Sequence, residues 1–166
     1  MLYMQYTHNY LRHQAKNKEK EYIKMIDIKG FLTKNQNKKI TLAVWFYAAW
    51  YRFCIRFISP KKLSPYWGIR GEESAETATM EQYRYAKLVG NRVNRSANHT
   101  PWESKCLVRA LTAQKLLKRK KIESTLYLGV GQEDGKMTAH AWLRVGQLYV
   151  TGGNGEGYAI VDKYKA

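Results

Sequence analysis

The pattern of apolar and polar positions divides the chain into a helical first part and a mixed last third. Ile40 to Tyr51 is twelve residues without a formal charge, and Arg52 and Arg56 then interrupt the run. A membrane span needs roughly 20 mostly apolar residues, so the stretch is too short to cross a bilayer. It also starts far from Met1 and lacks a small-residue cleavage pattern, so it does not read as a secretory signal. The pattern predicts a helix over 40–58 with a broad apolar face and both arginines on one side. Such a helix packs on a core, docks on a partner, or lies on a membrane surface. Ser59-Pro60 ends it, because proline disfavours helix in the residue before it. Residues 71–98 read as one helix, with Glu72, Glu73 and Glu76 near its start and Arg92 and Arg95 near its end, as the helix dipole favours. Tyr83, Leu88 and Val93 are expected on its buried stripe.

The last third is more informative. Thr100-Pro101-Trp102-Glu103 carries a helix-start signature, and Ser104 offers a second cap two residues before Cys106. Leu107, Ala110, Leu111, Gln114 and Leu117 follow at helical spacing. Lys118-Arg119-Lys120-Lys121 closes the helix as a solvated basic end. Ser124 to Val130 alternates as a strand. Glu133 to Lys136 is a turn, Ala139 to Val145 a second strand, Gly146-Gln147 a tight turn, and Leu148 to Thr151 a third strand. A glycine-rich loop then leads to a short strand over Tyr158 to Val161. A helix followed by an antiparallel meander is an α+β architecture.

Composition narrows the classes. The chain has 166 residues, 45% apolar and 13% aromatic, which is too apolar for a wholly disordered chain and enough for one ordinary core. A mean hydropathy of -0.57 excludes a polytopic membrane protein. Two cysteines exclude a disulfide scaffold and a cysteine-rich zinc module. The net charge of +16 is uneven: residues 40–70 hold five basic residues and no acidic one, whereas residues 71–99 balance at four each. Such a field attracts nucleic acid, anionic lipid or an acidic peptide. The Lys118–Lys121 run has no interleaved aromatics and no helix-turn-helix or RRM signature, so nucleic acid is not expected as a partner. Residues 1–24 form a polar, basic extension, and Met25 begins a stretch that reads like the start of a compact region. The division expected is 1–24, then a helical, partner-docking region over 25–98, then a catalytic core over 99–166.

Two residues carry the candidate chemistry. Cys106 lies near a helix start, where positive partial charge and free backbone N–H groups favour thiolate, and Lys105 and Arg109 act in the same direction. If Ser104 is the cap the effect falls on the first turn; if Thr100 is the cap it fades. His140 follows 34 residues later at the start of a predicted strand. A helix-borne thiol with a strand-borne imidazole is the nucleophile–base arrangement of cysteine peptidases: the imidazole takes the thiol proton and returns it to the leaving amine. Cys54, in the apolar helix, reads as core. His8 and His13, five apart, and His99 form no metal pattern. The Gly152–Gly157 loop has no Lys-Ser/Thr ending and no following helix, so it is no phosphate cradle. Neither a cofactor nor a metal is expected.

Several stretches together resemble a known family: Trp102-Glu103-Ser104-Lys105-Cys106-Leu107, Arg109-Ala110-Leu111, Thr125 to Val130, and Ala139-His140-Ala141-Trp142-Leu143-Arg144-Val145-Gly146. They resemble the transglutaminase-like leader peptidases of lasso-peptide biosynthesis, and more narrowly the stand-alone peptidase half of the split type found in bacteria. The resemblance spans about residues 30–166 and is strongest over 100–153. It implies a transglutaminase-like (papain-like) fold, with N-terminal helices followed by a catalytic helix packed on an antiparallel sheet. It implies a cytoplasmic cysteine protease that removes the leader from a ribosomally made precursor peptide. A small winged-helix recognition protein presents the leader, and an ATP-dependent cyclase closes the product. Peripheral membrane contact is a further role for the apolar helix. By resemblance Cys106 is the nucleophile, its backbone N–H an oxyanion donor, and His140 the general base. Many members carry an Asp about a dozen residues after the His; here that register falls on Gly152. Asn154 is then the favoured orienter of the imidazole, in the papain manner, with Thr151 and Asp162 as alternatives. A non-catalytic basic binding module on the same scaffold, and acyl transfer to an amine, are the competing functions.

Overall fold

The structure is a computed structural model and describes residues 37–97, 105–133 and 135–166. The extension 1–24, the start at Met25, the expected division at 98–99 and the helix start at Thr100–Ser104 lie outside the described residues. Helix α1 spans Lys38–Phe57. A short turn of helix α2, Pro60–Leu63, and a 3₁₀ turn, Ser64–Tyr66, follow. Strand β1 is Ile69–Arg70, helix α3 Met80–Ala97 and helix α4 Cys106–Lys118. Strands β2 (Thr125–Glu133), β3 (Lys136–Val145), β4 (Leu148–Thr151) and β5 (Tyr158–Lys165) complete the chain.

The five strands form one sheet in the order β1-β5-β2-β3-β4, with every pairing antiparallel. Alternation along β2 and β3 sorts their side chains. Leu126, Ala141, Leu143 and Val145 join the main core with Ala86, Val89 and Val93 of α3 and Ala110, Leu111, Leu116 and Leu117 of α4. Tyr127, His140, Trp142 and Arg144 lie on the other face, with Tyr127 stacked on Trp142. Helix α3 approaches β4 so closely that a Cβ on Gly90 would sit 2.5 Å from the Val150 carbonyl oxygen, a contact only glycine allows. On α1, Val44 and Ala48 face Val93 and Ser96 of α3 and Val108 and Thr112 of α4. Cys54 is buried, as core.

Two expectations need correction. The helix expected over 71–98 begins at Met80. Thr79 and Gln82 form a reciprocal capping box there: Thr79 N–H donates to Gln82 Oε1 at 2.8 Å, and Gln82 N–H donates to Thr79 Oγ1 at 3.2 Å. The residues before it cross the sheet because Glu73 and Ser74 have partners there. Arg144, buried, donates from Nη2 to Glu73 Oε2 at 2.8 Å and from Nη1 to the Gly146 carbonyl at 2.6 Å. Tyr127 Oη donates to Glu73 Oε2 at 2.6 Å, and Lys163 Nζ lies 2.7 Å from Glu73 Oε1. Ser74 N–H donates to Thr125 Oγ1 at 2.8 Å. A buried guanidinium stranded without its carboxylate is costly, and these bonds hold residues 71–79 out of the helix. The buried stripe of α3 is correspondingly Ala86, Val89, Gly90 and Val93, with Tyr83 and Leu88 half-exposed.

The strands also depart from a meander. After β4 the chain returns across the sheet, and β5 pairs with the free edge of β2. It runs to Lys165 rather than Val161, because β2 and β1 pair with it on both sides.

Hydrogen bonds from Lys163 and Tyr127 hold the Glu73 carboxyl below its ordinary value. Its native-state value is therefore lower than the unfolded value of about 4.3. The stability it contributes is complete above that value and is lost as pH falls through the native one. Wild type is expected to lose stability more steeply than Glu73→Gln between pH 6 and pH 3. Urea denaturation across that range checks this; parallel curves would contradict it.

Candidate active site

Cys106 is the first residue of α4. Lys105 is the N-cap, with φ −62° and ψ 161°, and supplies no side-chain cap hydrogen bond. The cap is thus Lys105 where Ser104 or Thr100 was expected, and the thiol stands in the first turn, among N–H groups that have no intrahelical acceptor. It is half-buried and unpaired as a disulfide. Cys106 and Leu107 pack against the core cluster.

His140 lies on β3 opposite Gly129 of β2. Its ring lies 4.8 Å from that of Tyr158 and 5.9 Å from that of Trp142. Its Nε2 is 2.7 Å from the carbonyl oxygen of Gly152. A carbonyl oxygen only accepts, so Nε2 carries the proton and Nδ1 of the neutral ring keeps its lone pair. That is the tautomer a general base requires.

The orienting partner is thus a backbone carbonyl. Asn154, the favoured side-chain orienter, instead accepts the Glu156 N–H on Oδ1 at 3.1 Å and shapes its own turn. Thr151 pairs with Leu143, not with His140: the tight Gly146-Gln147 turn alone would set it opposite Trp142, and a bulge between Leu143 and Arg144 moves it one residue further; its buried hydroxyl has no partner among the described residues. Gly152 has φ +78°, and a Cβ there would lie 2.4 Å from the Ala141 carbonyl oxygen. Gly155, φ +74°, lies against the Trp142 ring, which its Cβ would meet at 2.5 Å. The loop has to be glycine where it crosses Trp142, and that crossing presents the Gly152 carbonyl to His140.

Cys106 and His140 both border one cavity of about 580 Å³ with Leu107, Leu128, Trp67 and Asp162, while the His140 ring itself lies with Trp142 and Tyr158 on the other face of the sheet from the Cys106 helix. Among the described residues no hydrogen bond joins the Cys106 thiol to the imidazole. Asp162 reaches this cavity because β5 returns beside β2. Its carboxylate is engaged elsewhere: Arg70 Nε donates to both oxygens at 2.9 and 3.1 Å, and Tyr164 Oη donates to Oδ2 at 2.7 Å. Burial works against ionisation, but the bonds from Arg70, Tyr164 and the Lys163 N–H win and hold the carboxyl below its ordinary value. Arg70 and Lys61 give this cavity a cationic border. Sequence reading assigned Arg70 no role, since its partner lies 92 residues away. Among the described residues no group of three or more His, Cys, Asp or Glu is placed to hold a metal ion.

The fold is α+β, with a cysteine at the start of a helix and a histidine on a strand of the five-stranded antiparallel sheet. The profile of the transglutaminase-like superfamily matches residues 63–162, and the chain belongs to that superfamily. Comparison with curated proteins and with solved structures returns no match.

The tautomer gives a direct check. Long-range ¹H–¹⁵N correlation spectra should show His140, assigned by loss of its signals in His140→Gln, protonated at Nε2. Gly152→Ala should shift that equilibrium toward a mixture, and Asn154→Ala should leave it unchanged. A wild-type ring protonated at Nδ1 would contradict the geometry.

Proposed function

We propose that the protein is a cysteine peptidase that removes the leader from a ribosomally made lasso-peptide precursor, acting with a separate leader-recognition protein. The observation that carries the peptidase reading is that Cys106, at a helix start, and His140, on the adjacent sheet, border the same cavity. The leader assignment rests on the Cys-centred and His-Ala-Trp stretches that resemble the split-type leader peptidases.

In this reading Cys106 attacks the carbonyl carbon of the scissile peptide, and its proton passes to His140 Nδ1. Backbone N–H groups of the first turn of α4, that of Cys106 among them, stabilise the oxyanion. His140 then protonates the leaving amine. The leader is held as a thioester on Cys106 until water, deprotonated by the same imidazole, releases it. The thiol–imidazole hydrogen bond, absent at rest with the ring on the Trp142 face of the sheet, requires a rearrangement that the presented precursor drives as it enters the cavity. The recognition protein therefore raises activity by more than tethering. The cyclase acts on the freed core amine, in the cytoplasm.

The test is precursor cleavage followed by mass spectrometry, with and without the recognition protein. Wild type should cleave slowly alone and at least tenfold faster with it. Cys106→Ala should lose about 10³-fold or more in rate. A product extended by an added amine in place of water would move the reading to acyl transfer. Cleavage by Cys106→Ala at the wild-type rate would overturn it.

A further inference from the structure

The inward face of α1 meets the core, yet its outward face is also apolar. Leu42, Phe46, Trp50, Phe53 and Phe57 recur three or four residues apart and form one stripe. Phe46 is 64% exposed, Trp50 54%, Phe53 55% and Phe57 70%. The stripe is about 22 Å long at 1.5 Å per residue. Single exposed apolar residues are ordinary, but a continuous row of this length marks an interaction surface. Arg52 and Arg56 project beside it, with the Arg56 guanidinium 6.0 Å from the Phe57 ring centre.

Charge selects the occupant. Between Asn37 and Gly71 there are seven cationic residues, Lys38, Lys39, Arg52, Arg56, Lys61, Lys62 and Arg70, and no acidic one. A second copy would bring the same cations face to face. An anionic bilayer satisfies both features: aromatic side chains seat at the headgroup boundary while arginines beside them reach lipid phosphates. No helix among the described residues is long and apolar enough to cross a membrane, so the contact is peripheral.

We infer that the outward face of α1 docks the protein on an anionic phospholipid surface, with Phe46, Trp50, Phe53 and Phe57 inserted and Arg52 and Arg56 on the phosphates. This goes beyond the peptidase reading and does not depend on it.

The experiment is co-sedimentation of the full chain with vesicles of phosphatidylcholine alone and with 30% phosphatidylglycerol. Binding is expected on the anionic vesicles and is expected to weaken with salt. Arg52→Gln with Arg56→Gln should reduce the partition coefficient about thirtyfold, from roughly 1 kcal/mol for each cation at an anionic surface. Phe46→Ser, Phe53→Ser and Phe57→Ser together should reduce it at least tenfold. All five positions lie outside the buried core, and unchanged thermal melting checks the fold. A second readout stays within the near-native chain: brominated lipids should quench tryptophan emission, and Trp50→Phe should remove most of that quenching. No binding to anionic vesicles overturns the inference. So does binding that survives loss of the three phenylalanines, which would be surface adsorption by charge, or quenching unchanged in Trp50→Phe. A salt-insensitive dimer without lipid that the phenylalanine variant dissociates would assign the face to a second copy.

Discussion

The buried indole of Trp142 constrains the polar face of the sheet more than any other side chain. Its ring stacks on Tyr127 and lies beside His140. A Cβ on Gly129 would come within 2.8 Å of it, and one on Gly155 within 2.5 Å. The ring therefore requires glycine in β2 on one side and in the β4–β5 loop on the other. With those glycines in place the loop crosses close over β3, the Gly152 carbonyl meets His140 Nε2, and β5 is delivered to the far edge of β2. That last pairing brings Asp162 into the cavity with Cys106. One aromatic residue, two after the histidine, thus links the local strand pattern to the tautomer of the imidazole and to the topology of the sheet.

A second constraint holds the strap over that face. Arg144 is buried and needs an anion; Glu73 supplies it, sharing its oxygens with Tyr127 and Lys163. The pairing ties residues 71–79 to the sheet, and α3 begins only after Thr79 has capped it. Arg70, just upstream, is clamped to Asp162, so the start of this connection is fixed by ion pairs to β5 and β3.

Local signals in the sequence were sufficient for most elements. The apolar run became α1, the spacing from Leu107 to Leu117 became α4, and the alternation from Thr125 and from Ala139 became β2 and β3. What local reading missed depends on distant partners. Glu72, Glu73 and Glu76 look like first-turn acids, but the partner of Glu73 is Arg144, 71 residues away. The Thr79–Gln82 capping box was a local mark of the true helix start, obscured by the acidic cluster before it. The return of β5 to β2 is a long-range pairing with no signature in its own residues. At the site, residue type and position singled out Cys106 and His140, and the structure puts the first at a helix start and the second on a strand. The hydrogen-bond partner of the ring was not legible: side-chain chemistry points to Asn154, whereas the structure uses the main-chain oxygen of Gly152, the register where the resemblance implied an acid.

A carbonyl in place of a carboxylate fixes the ring's orientation and tautomer while adding no full negative charge beside the imidazolium. In the proposed mechanism this suits a site that a presented substrate completes. The central claim is that Cys106 and His140 act as one unit. It is tested most directly by the rate of Cys106 alkylation at neutral pH, followed by peptide mass spectrometry with precursor and recognition protein present. Buried Cys54 serves as the internal control. The account predicts that His140→Ala slows modification of Cys106 at least tenfold and leaves that of Cys54 unchanged, because thiolate is the reacting species. Equal Cys106 rates in wild type and His140→Ala would contradict it.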